Sequence, residues 1–343
     1  MRRRHVRKSA HSAAARAPTL EDVARVAGVS TATISRTLNN AEQVTAHTRE
    51  RVRLAIAKTG YVPNLLAGGL ASKRSRLVAA LVPSIATSLF NETIESMSLA
   101  LSAAGYQVVL GLTGYEPEGM SRAVISLLSH RPDALILTGA PTDPLVRRHL
   151  RAARVTVIET WDLPRTPVDL AIGFSHRQAG RALADFVVKQ GYRRPLIMTH
   201  DLARGRARME GFLERWREQH LPEPICDIAA VTPFAIDGRA RLRAFLKSGG
   251  RADVVLCSSD RLAWAVLSEA TARGLKVPQN LAVIGFGASD SSALAVPALT
   301  SVRIDGAQIG RRAAEALILR TRGLEPPARR IDIGFEILAR DTA

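Results

Sequence analysis

Cysteine and aromatic residues are scarce in this 343-residue sequence, which has two Cys, three Trp, four Tyr and eight Phe. Cys226 and Cys257 show neither CxxC spacing nor an accompanying histidine pattern, which excludes a disulfide-stabilised secreted scaffold. Cys257 ends an apolar run, which predicts a small side chain buried in a core. No apolar run approaches the roughly 18 residues of a membrane-spanning helix, and no secretory apolar segment is present. We therefore expect a cytoplasmic protein with no membrane partner.

The motifs of common enzymes are also missing. The sequence contains no GxGxxG after a strand, no GxxxxGK[ST] and no GxSxG. Its eight histidines show no HExxH or other metal-ligand spacing. We therefore expect no enzyme, no cofactor and no bound metal.

Positive charge is abundant but unevenly distributed. Residues 1–76 contain fifteen Lys and Arg against four Asp and Glu, a net charge of +11, and the other 267 residues contain thirty-three against twenty-seven, or +6, which together give the total of +17. This concentration favours a polyanion as partner of the first fifth of the chain. Because that part lacks an apolar aromatic face for lipid, nucleic acid is favoured over a membrane. Residues 1–17 are interpreted as a disordered basic arm. An equal alternative is that the true first residue of the protein lies downstream of Met1.

Residues 19–39 have the pattern of two short helices joined by a glycine-containing turn. The first helix has an apolar stripe at i, i+3, i+4 and i+7, formed by Leu20, Val23, Ala24 and Ala27. Thr19 and Ser30 can cap the two helices, Gly28 ends the first, and Ile34 and Leu38 face inward in the second. The outer face of the second helix carries short side chains and one long cation, namely Thr31, Ala32, Ser35 and Arg36. This pattern predicts a helix-turn-helix rather than a generic helical hairpin.

A third helix is predicted from a cap at Thr45 to Gly60. We expect the three helices to form a headpiece over residues 18–62 that buries Leu20, Val23, Ala27, Ile34, Leu38, Val52 and Ile56. Residues 63–76, with two glycines and three basic residues, are predicted to be a hinge.

From Leu77 onward, short apolar runs alternate with segments of helical period. The runs lie at 77–82, 106–110, 134–138, 155–158, 169–172, 195–198, 254–258 and 281–284. The helical segments lie at 91–104, 119–130, 144–153, 176–190 and 208–219. This alternation predicts parallel sheets covered on both faces, and the number of strands favours two doubly wound α/β subdomains that change near Gly173.

Aromatic residues follow several of these strands, where ligands collect in open α/β sheets. They are Phe90, Tyr115, Trp161, Phe174 and Phe286. Polar residues accompany them, namely Ser84, Asn91, Glu159, Asp162, Ser259 and Asp260. Rings that pack on sugar C–H faces, beside groups that pair with hydroxyls, predict a cleft for a polyhydroxylated small molecule. Packing of the rings between the subdomains is the alternative.

Together, the headpiece, hinge and doubled core resemble the lactose-repressor (LacI) family of bacterial transcription regulators from Thr19 to Arg340. The most specific motifs are TLEDVARVAGVSTATISRTLN and VTAHTRERVRLAIAKTGYVPN, supported by VVLCSSDRLAWAVL and PALTSVRID. GLTGYEPEG, VTVIETWD and DLAIGFSH resemble the gluconate-operon (GntR-type) branch. The resemblance implies a homodimer with a periplasmic-binding-protein-like core that binds an effector. It implies an N-subdomain of about 77–173 and 301–330 and a C-subdomain of about 174–300 and 331–340.

The resemblance also implies DNA contacts on a palindromic operator. Arg36 would pair with a guanine in the major groove, and the methyl groups of Thr31 and Ala32 would contact thymine. Phosphate contacts are expected from Ser30, Thr33, Ser35 and Asn39. Asn64 is expected to contact DNA as well, and Leu70 would insert into the minor groove.

In the cleft, Arg208 matches the family arginine that grips the effector, and its planar fork suits a carboxylate or a vicinal diol. Asp260 matches a position that binds effector hydroxyls, although it also suits a helix cap. Gly287 replaces an acidic residue of many sugar-binding relatives, which favours an anionic ligand, and Phe234 lies near the position of a ring over the ligand. A sugar acid such as gluconate is therefore the expected effector of a repressor. The alternatives are an architectural or nonspecific DNA-binding protein without a ligand, an exported solute-binding protein and an enzyme.

Overall fold

The computed structural model describes residues 16–62, 75–86, 88–116, 118–230 and 237–343. The chain divides into two compact units, Met1–Ser75 and Arg76–Ala343. Most of the predicted basic arm and hinge lies outside the described residues, as do Asn64, Leu70 and Phe234. Within the described ranges, every helix is too short or too polar to span a lipid bilayer.

The headpiece contains three α-helices, α1 (Leu20–Ala27), α2 (Thr31–Asn39) and α3 (Ala46–Thr59), with a 3-10 turn at Ala41–Gln43. At the start of α1 the backbone N–H of Thr19 donates to the Asp22 carboxylate at 3.0 Å. Gly28 ends α1 in the left-handed conformation, with a φ of 63°. The Ser30 hydroxyl accepts the N–H of Thr33 at 3.1 Å and so caps α2. These local bonds give the helix-turn-helix predicted from the sequence.

The headpiece core is small and well packed. Its buried members are Val23, Ala24, Ala27, Ile34, Val52 and Ala55, and Leu20 and Ile56 pack against them while half-buried. The expectation for Leu38 was wrong, because this side chain is 38% exposed. Ile34, one turn earlier on α2, is fully buried. The core therefore ends one helical turn before Leu38.

Six strands form the first sheet of the core. They are β1 (Leu77–Val82), β2 (Gln107–Leu112), β3 (Ala134–Thr138), β4 (Thr156–Thr160), β5 (Leu170–Gly173) and β11 (Arg330–Asp332). All are parallel, in the order β11-β5-β4-β3-β1-β2. The first lobe consists of this sheet and α4 (Asn91–Ala103), α5 (Gly119–Leu128), α6 (Pro144–Ala153) and α12 (Gly306–Thr321).

The second sheet has the order β12-β10-β9-β8-β6-β7, in which only β12 is antiparallel. Its strands are β6 (Pro195–His200), β7 (Ile225–Ala229), β8 (Val254–Cys257), β9 (Ala282–Gly287), β10 (Thr300–Arg303) and β12 (Glu336–Leu338). The second lobe adds α7 (His176–Lys189), α8 (Ala203–Glu218), α9 (Gly238–Lys247), α10 (Asp260–Ala272) and α11 (Asp290–Leu294). The α/β fold with two parallel-sheet subdomains is thus confirmed.

The chain passes between the lobes three times, namely after β5, between β10 and α12, and between β11 and β12. The sequence placed the second and third passages at about 300 and 330. Because β10 pairs with β9 and β11 pairs with β5, both passages lie a few residues later, at 304–305 and 333–335.

One hydrophobic cluster runs through both lobes and includes Ile136 of the first sheet, Phe174 at the first passage and Ile197 of the second sheet. Separate clusters cover the other face of each sheet. Cys257 lies in one of these clusters and is buried, as predicted. Burial raises the pKa of its thiol, so Cys257 behaves as a small apolar side chain.

Candidate functional site

The outer face of α2 is open to solvent. Thr31, Ala32, Ser35 and Arg36 are all exposed. Among the described residues, Arg36 has no acidic ion-pair partner. The Ser30 and Thr33 hydroxyls lie 2.9 Å apart at the start of the helix, and Asn39 is the last residue of α2. A helix with one cation among small side chains fits a major groove without steric conflict.

One basic residue of the headpiece, Arg51, has a structural role within the headpiece. Arg51 of α3 donates to the carbonyl of Ala27 at 2.6 Å and to that of Gly28 at 3.3 Å. These carbonyls at the end of α1 have no partner within the helix. Arg51 therefore fixes the turn that orients α2.

A cavity of about 510 Å³ lies between the two lobes of the core, at the carboxyl ends of the strands. Eight of the predicted effector residues line it, namely Ser84, Phe90, Asn91, Tyr115, Trp161, Arg208, Asp260 and Gly287. Because both lobes contribute, a ligand in this cavity contacts both.

Two arginines of α8 form one wall of the cavity. Arg208 donates to Nδ1 of His176 and to the carbonyl of Ser258, each at 3.1 Å, and lies 3.9 Å from the Phe286 ring centroid. Arg204, one turn earlier, lies 5.5 Å from the Phe90 centroid. Neither arginine forms an ion pair with a described acidic residue. Because burial is uncompensated, the pKa of Arg208 falls to about 9, with a further contribution from Arg204.

Asp260 lines the cavity, but its carboxylate is already hydrogen-bonded. It accepts the hydroxyls of Ser292 at 2.5 Å and Ser301 at 2.6 Å and the N–H of Ser289 at 3.1 Å. The N-cap of α10 is Ser259, which accepts the N–H of Leu262. Asp260 thus joins α10, α11 and β10 and is not the cap.

Gly287 lies close in space to the Asp260 carboxylate. Its φ is 128°, which L side chains rarely adopt, and a Cβ placed on it would lie 3.7 Å from Oδ2 of Asp260. An acidic side chain here would be strained and would add a second negative charge beside Asp260. Glycine leaves this wall less negative.

Of the ten predicted effector residues that the structure describes, two do not line the cavity. Glu159 is fully buried on the same face of β4 as Val157, where it accepts the N–H of Val168 at 3.0 Å and lies 3.7 Å from Arg147. Strand alternation directs it toward α6, away from the cleft, and burial raises its pKa. Phe174 is also fully buried, so the expectation of a ligand contact is corrected in both cases.

Phe174 instead packs beneath the cavity. Its ring centroid lies 4.4 Å from that of His176, 6.1 Å from Phe286 and 6.5 Å from Trp161. This is the interface packing that the sequence left open as the alternative for the aromatic residues.

Sequence reasoning missed Arg204 and His176. Arg204 lies four residues before Arg208, so helical spacing alone places both on one face. His176 carries no such signal, because its role depends on a contact between two helices. Among the described residues, no group of three His, Cys, Asp or Glu side chains is arranged to hold a metal ion.

Comparisons with known proteins agree with this architecture. The family of bacterial regulatory proteins of the lacI type matches residues 19–64, and the periplasmic binding protein-like domain matches residues 184–343. The chain is 36% identical to the HTH-type transcriptional regulator GntR of Pseudomonas aeruginosa, over 95% of both chains. It is 30% identical to GntR of Escherichia coli K12, over 93% of this chain and 97% of the relative.

Solved structures show the same relationship. A LacI family transcriptional regulator from Silicibacter pomeroyi has a TM-score of 0.88 and 33% identity, over 95% of this chain and 99% of that one. The lac repressor dimer bound to operator and the anti-inducer ONPF has a TM-score of 0.81 and 26% identity, with the same coverage. The protein is thus a DNA-binding transcriptional regulator, and the chain belongs to the LacI family of bacterial regulatory proteins.

Proposed function

We propose that the protein is a homodimeric repressor whose affinity for a palindromic operator is controlled by a sugar acid such as gluconate. The effector binds in the cavity between the lobes, and the repressor acts in the cytoplasm, where its operator lies. The lac repressor, a relative of the same fold, is a dimer on its operator, which supports the proposed assembly.

On the DNA side, the exposed face of α2 supplies the contacts. Arg36 donates two hydrogen bonds to a guanine, and Thr31 and Ala32 contact thymine methyl groups. Ser30, Thr33, Ser35 and Asn39 bind phosphates and set the register of the headpiece. The exposure of Thr31, Ala32 and Arg36 supports this assignment.

On the effector side, the unpaired guanidinium groups of Arg204 and Arg208 carry the proposal. Two half-buried positive charges that form no ion pair with a described carboxylate favour an anionic ligand. Phe90, Tyr115 and Trp161 offer rings to the C–H faces of the ligand, and Glu92 and Asp290 at the cavity accept hydroxyls. An aldonate combines these features, whereas a neutral sugar leaves both charges unpaired.

Thermal unfolding of the full chain tests the effector class. Gluconate should raise the melting temperature in proportion to the logarithm of its concentration, because it binds only the folded state. Glucose and sorbitol are matched controls with the same carbon number and no carboxylate. Equal shifts with all three compounds, or none with gluconate, would reject the sugar-acid assignment.

Selection of bound duplexes from a random pool tests the DNA side. A palindromic consensus with half-sites spaced by the helical repeat is expected. Recovery of no consensus would instead indicate an architectural DNA-binding protein.

A further inference from the structure

A continuous chain of four hydrogen bonds leads from the effector wall into the first lobe. Arg208 contacts His176 at 3.1 Å, and Nε2 of His176 contacts the carbonyl of Trp161 at 2.9 Å. The indole N–H of Trp161 donates to the Thr93 hydroxyl at 3.0 Å, and this hydroxyl donates to the carbonyl of Gly306 at 2.8 Å. We call this set of contacts the relay.

The direction of every bond in the relay is determined. A guanidinium only donates, so Nδ1 of His176 must accept from Arg208. The remaining ring nitrogen therefore carries the proton and donates to the carbonyl of Trp161. The indole likewise only donates, which leaves the hydroxyl hydrogen of Thr93 for Gly306. His176 is consequently neutral, in the Nε2–H tautomer, and cannot reverse its role without losing both partners.

The relay connects the lobes beside two of the three passages. His176 is the first residue of α7, directly after the first passage, and Gly306 is the first residue of α12, directly after the second. Arg208 belongs to the second lobe, whereas Trp161 and Thr93 belong to the first. The bond between His176 and the carbonyl of Trp161 is therefore the one that joins the second lobe to the first.

Trp161 takes part in two consecutive bonds of the relay, one through its backbone carbonyl and one through its indole N–H. Its φ of 64° lies in the left-handed region, which a bulky side chain disfavours. Its carbonyl faces His176 while its buried indole reaches Thr93 on α4. Both ends of the residue are thus held, and this backbone conformation brings the two bonds together.

We propose that His176 is a positioning residue that couples effector binding at Arg208 to the relation between the lobes, through Trp161 and Thr93. The inference rests on the proposed function, because it assumes that Arg208 contacts the effector. A ligand that draws on the donors of Arg208 changes the bond to His176, and the relay carries this change to the starts of α4 and α12.

Thr93 allows a clean test, because it belongs to the relay but does not line the cavity. Thr93→Val replaces the hydroxyl with a methyl group of similar size and so removes both hydrogen bonds of this side chain. Thr160→Val is the matched control, since Thr160 is equally buried in the first lobe and its hydroxyl donates to the carbonyl of Leu137 at 3.0 Å, outside the relay. Operator affinity is measured with and without saturating gluconate, and gluconate binding to DNA-free protein is measured by calorimetry.

Thr93→Val should reduce the ratio of the two operator affinities at least about fivefold, with gluconate affinity within about threefold of wild type. Thr160→Val should leave the ratio within about twofold. An unchanged ratio in Thr93→Val, or an equal loss in both variants, would overturn the proposal.

A ligand-independent measurement separates this inference from the proposed function. If wild-type protein does not bind gluconate, the effector assignment has failed, and the relay is judged by ¹⁵N NMR of labelled histidine, with the His176 signal assigned through His176→Asn. A neutral Nε2–H ring at neutral pH, with a proton resonance that shifts in Thr93→Val, supports the relay. An Nδ1–H or charged ring contradicts it.

Discussion

Arg204 and Arg208 lie one helical turn apart on one wall of the cavity, and neither forms an ion pair with an acidic side chain in the part of the chain that the structure describes. The charges of individual residues around the cavity determine which class of ligand it can bind. Asp260 is occupied by three donors, and Gly287 keeps a further acid away from it. Binding of an anion is therefore the simplest way to compensate the two cations.

Arg36 is the residue on which DNA selectivity should depend. Arg36→Ala should relax the preference at one base pair of each half-site by about 1–3 kcal/mol, because a bidentate contact to guanine is lost. Competition binding with single-base operator variants measures this. Arg53→Ala, an exposed arginine of α3 paired with Glu50, is the control and should leave the preference unchanged. Unaltered selectivity in Arg36→Ala would contradict the assignment.

His176 gives the core a pH dependence of known sign. Burial and the charges of Arg208 and Arg204 lower its pKa well below 6.5 in the folded state. The unfolded chain therefore binds the proton more readily, and stability should fall as pH decreases below about 6.5. Glu159, whose pKa is raised by burial, contributes with the opposite sign, so stability from Glu159 falls as pH increases above about 4.5.

Denaturant unfolding of wild type and His176→Asn between these pH values separates the two groups. In the variant, the free energy of unfolding should no longer increase with pH through the titration of His176. The decrease with pH that Glu159 causes should remain. Identical pH slopes in the two proteins would show that His176 is not buried in its neutral form.

The sequence revealed the site only in part, for reasons visible at single residues. Arg208 and Asp260 were accessible through resemblance, and the aromatic residues through their position after strands. Glu159 was misplaced because the end of a strand does not say which face a side chain takes. His176 was not found because its partners, Arg208 and the carbonyl of Trp161, are distant in sequence.

At the scale of elements, long and apolar segments were predictable. All eight predicted strands exist: β1 and β3 have the predicted bounds, the other strands differ by one or two residues at an end, and β9 ends three residues later. The missed strands are β7, β10, β11 and β12, which have three to five residues each. Their pairing depends on the rest of the sheet, so no local hydrophobic period marks them.

The turn between α1 and α2 orients α2, the helix whose outer face is proposed to contact DNA. Substitutions of two glycines test the role of this turn. Gly28→Ala and Gly60→Ala each place a side chain at a φ near 65°, which costs about 1–2 kcal/mol. A Cβ at Gly28 would also come within 2.9 Å of the Arg51 guanidinium, whereas Gly60 has no atom within 4 Å. Gly28→Ala should therefore destabilise the headpiece more.

Hydrogen exchange of headpiece amides in the full chain measures this difference. Protection in α3 should fall further in Gly28→Ala than in Gly60→Ala. Equal losses would mean that Arg51 does not hold the turn.

At the scale of the whole molecule, a ligand in the cavity contacts both lobes, and three chain passages connect those lobes. Binding energy in such a cavity can shift the relation between lobes only if the two arrangements bind the ligand differently. Because each lobe supplies aromatic or charged groups to the cavity, an arrangement that brings them together on the ligand is favoured.

Arg208→Ala should separate sensing from DNA binding. The variant should bind the selected operator like wild type but lose its response to gluconate, because the anion has lost its main donor. Arg206→Ala, which removes an exposed arginine of the same helix that pairs with Asp201, should retain the response. A normal response in Arg208→Ala would remove this residue from the effector site.

The protein should recognise both a duplex sequence and a sugar acid, each at its own site. The most direct measurement is the equilibrium affinity of the full chain for its selected operator, against bulk competitor DNA, with and without gluconate. Selective operator binding is expected, with an affinity that gluconate changes about 5–150-fold while glucose does not. An operator affinity that gluconate leaves unaltered, or the absence of any preferred duplex, would contradict it.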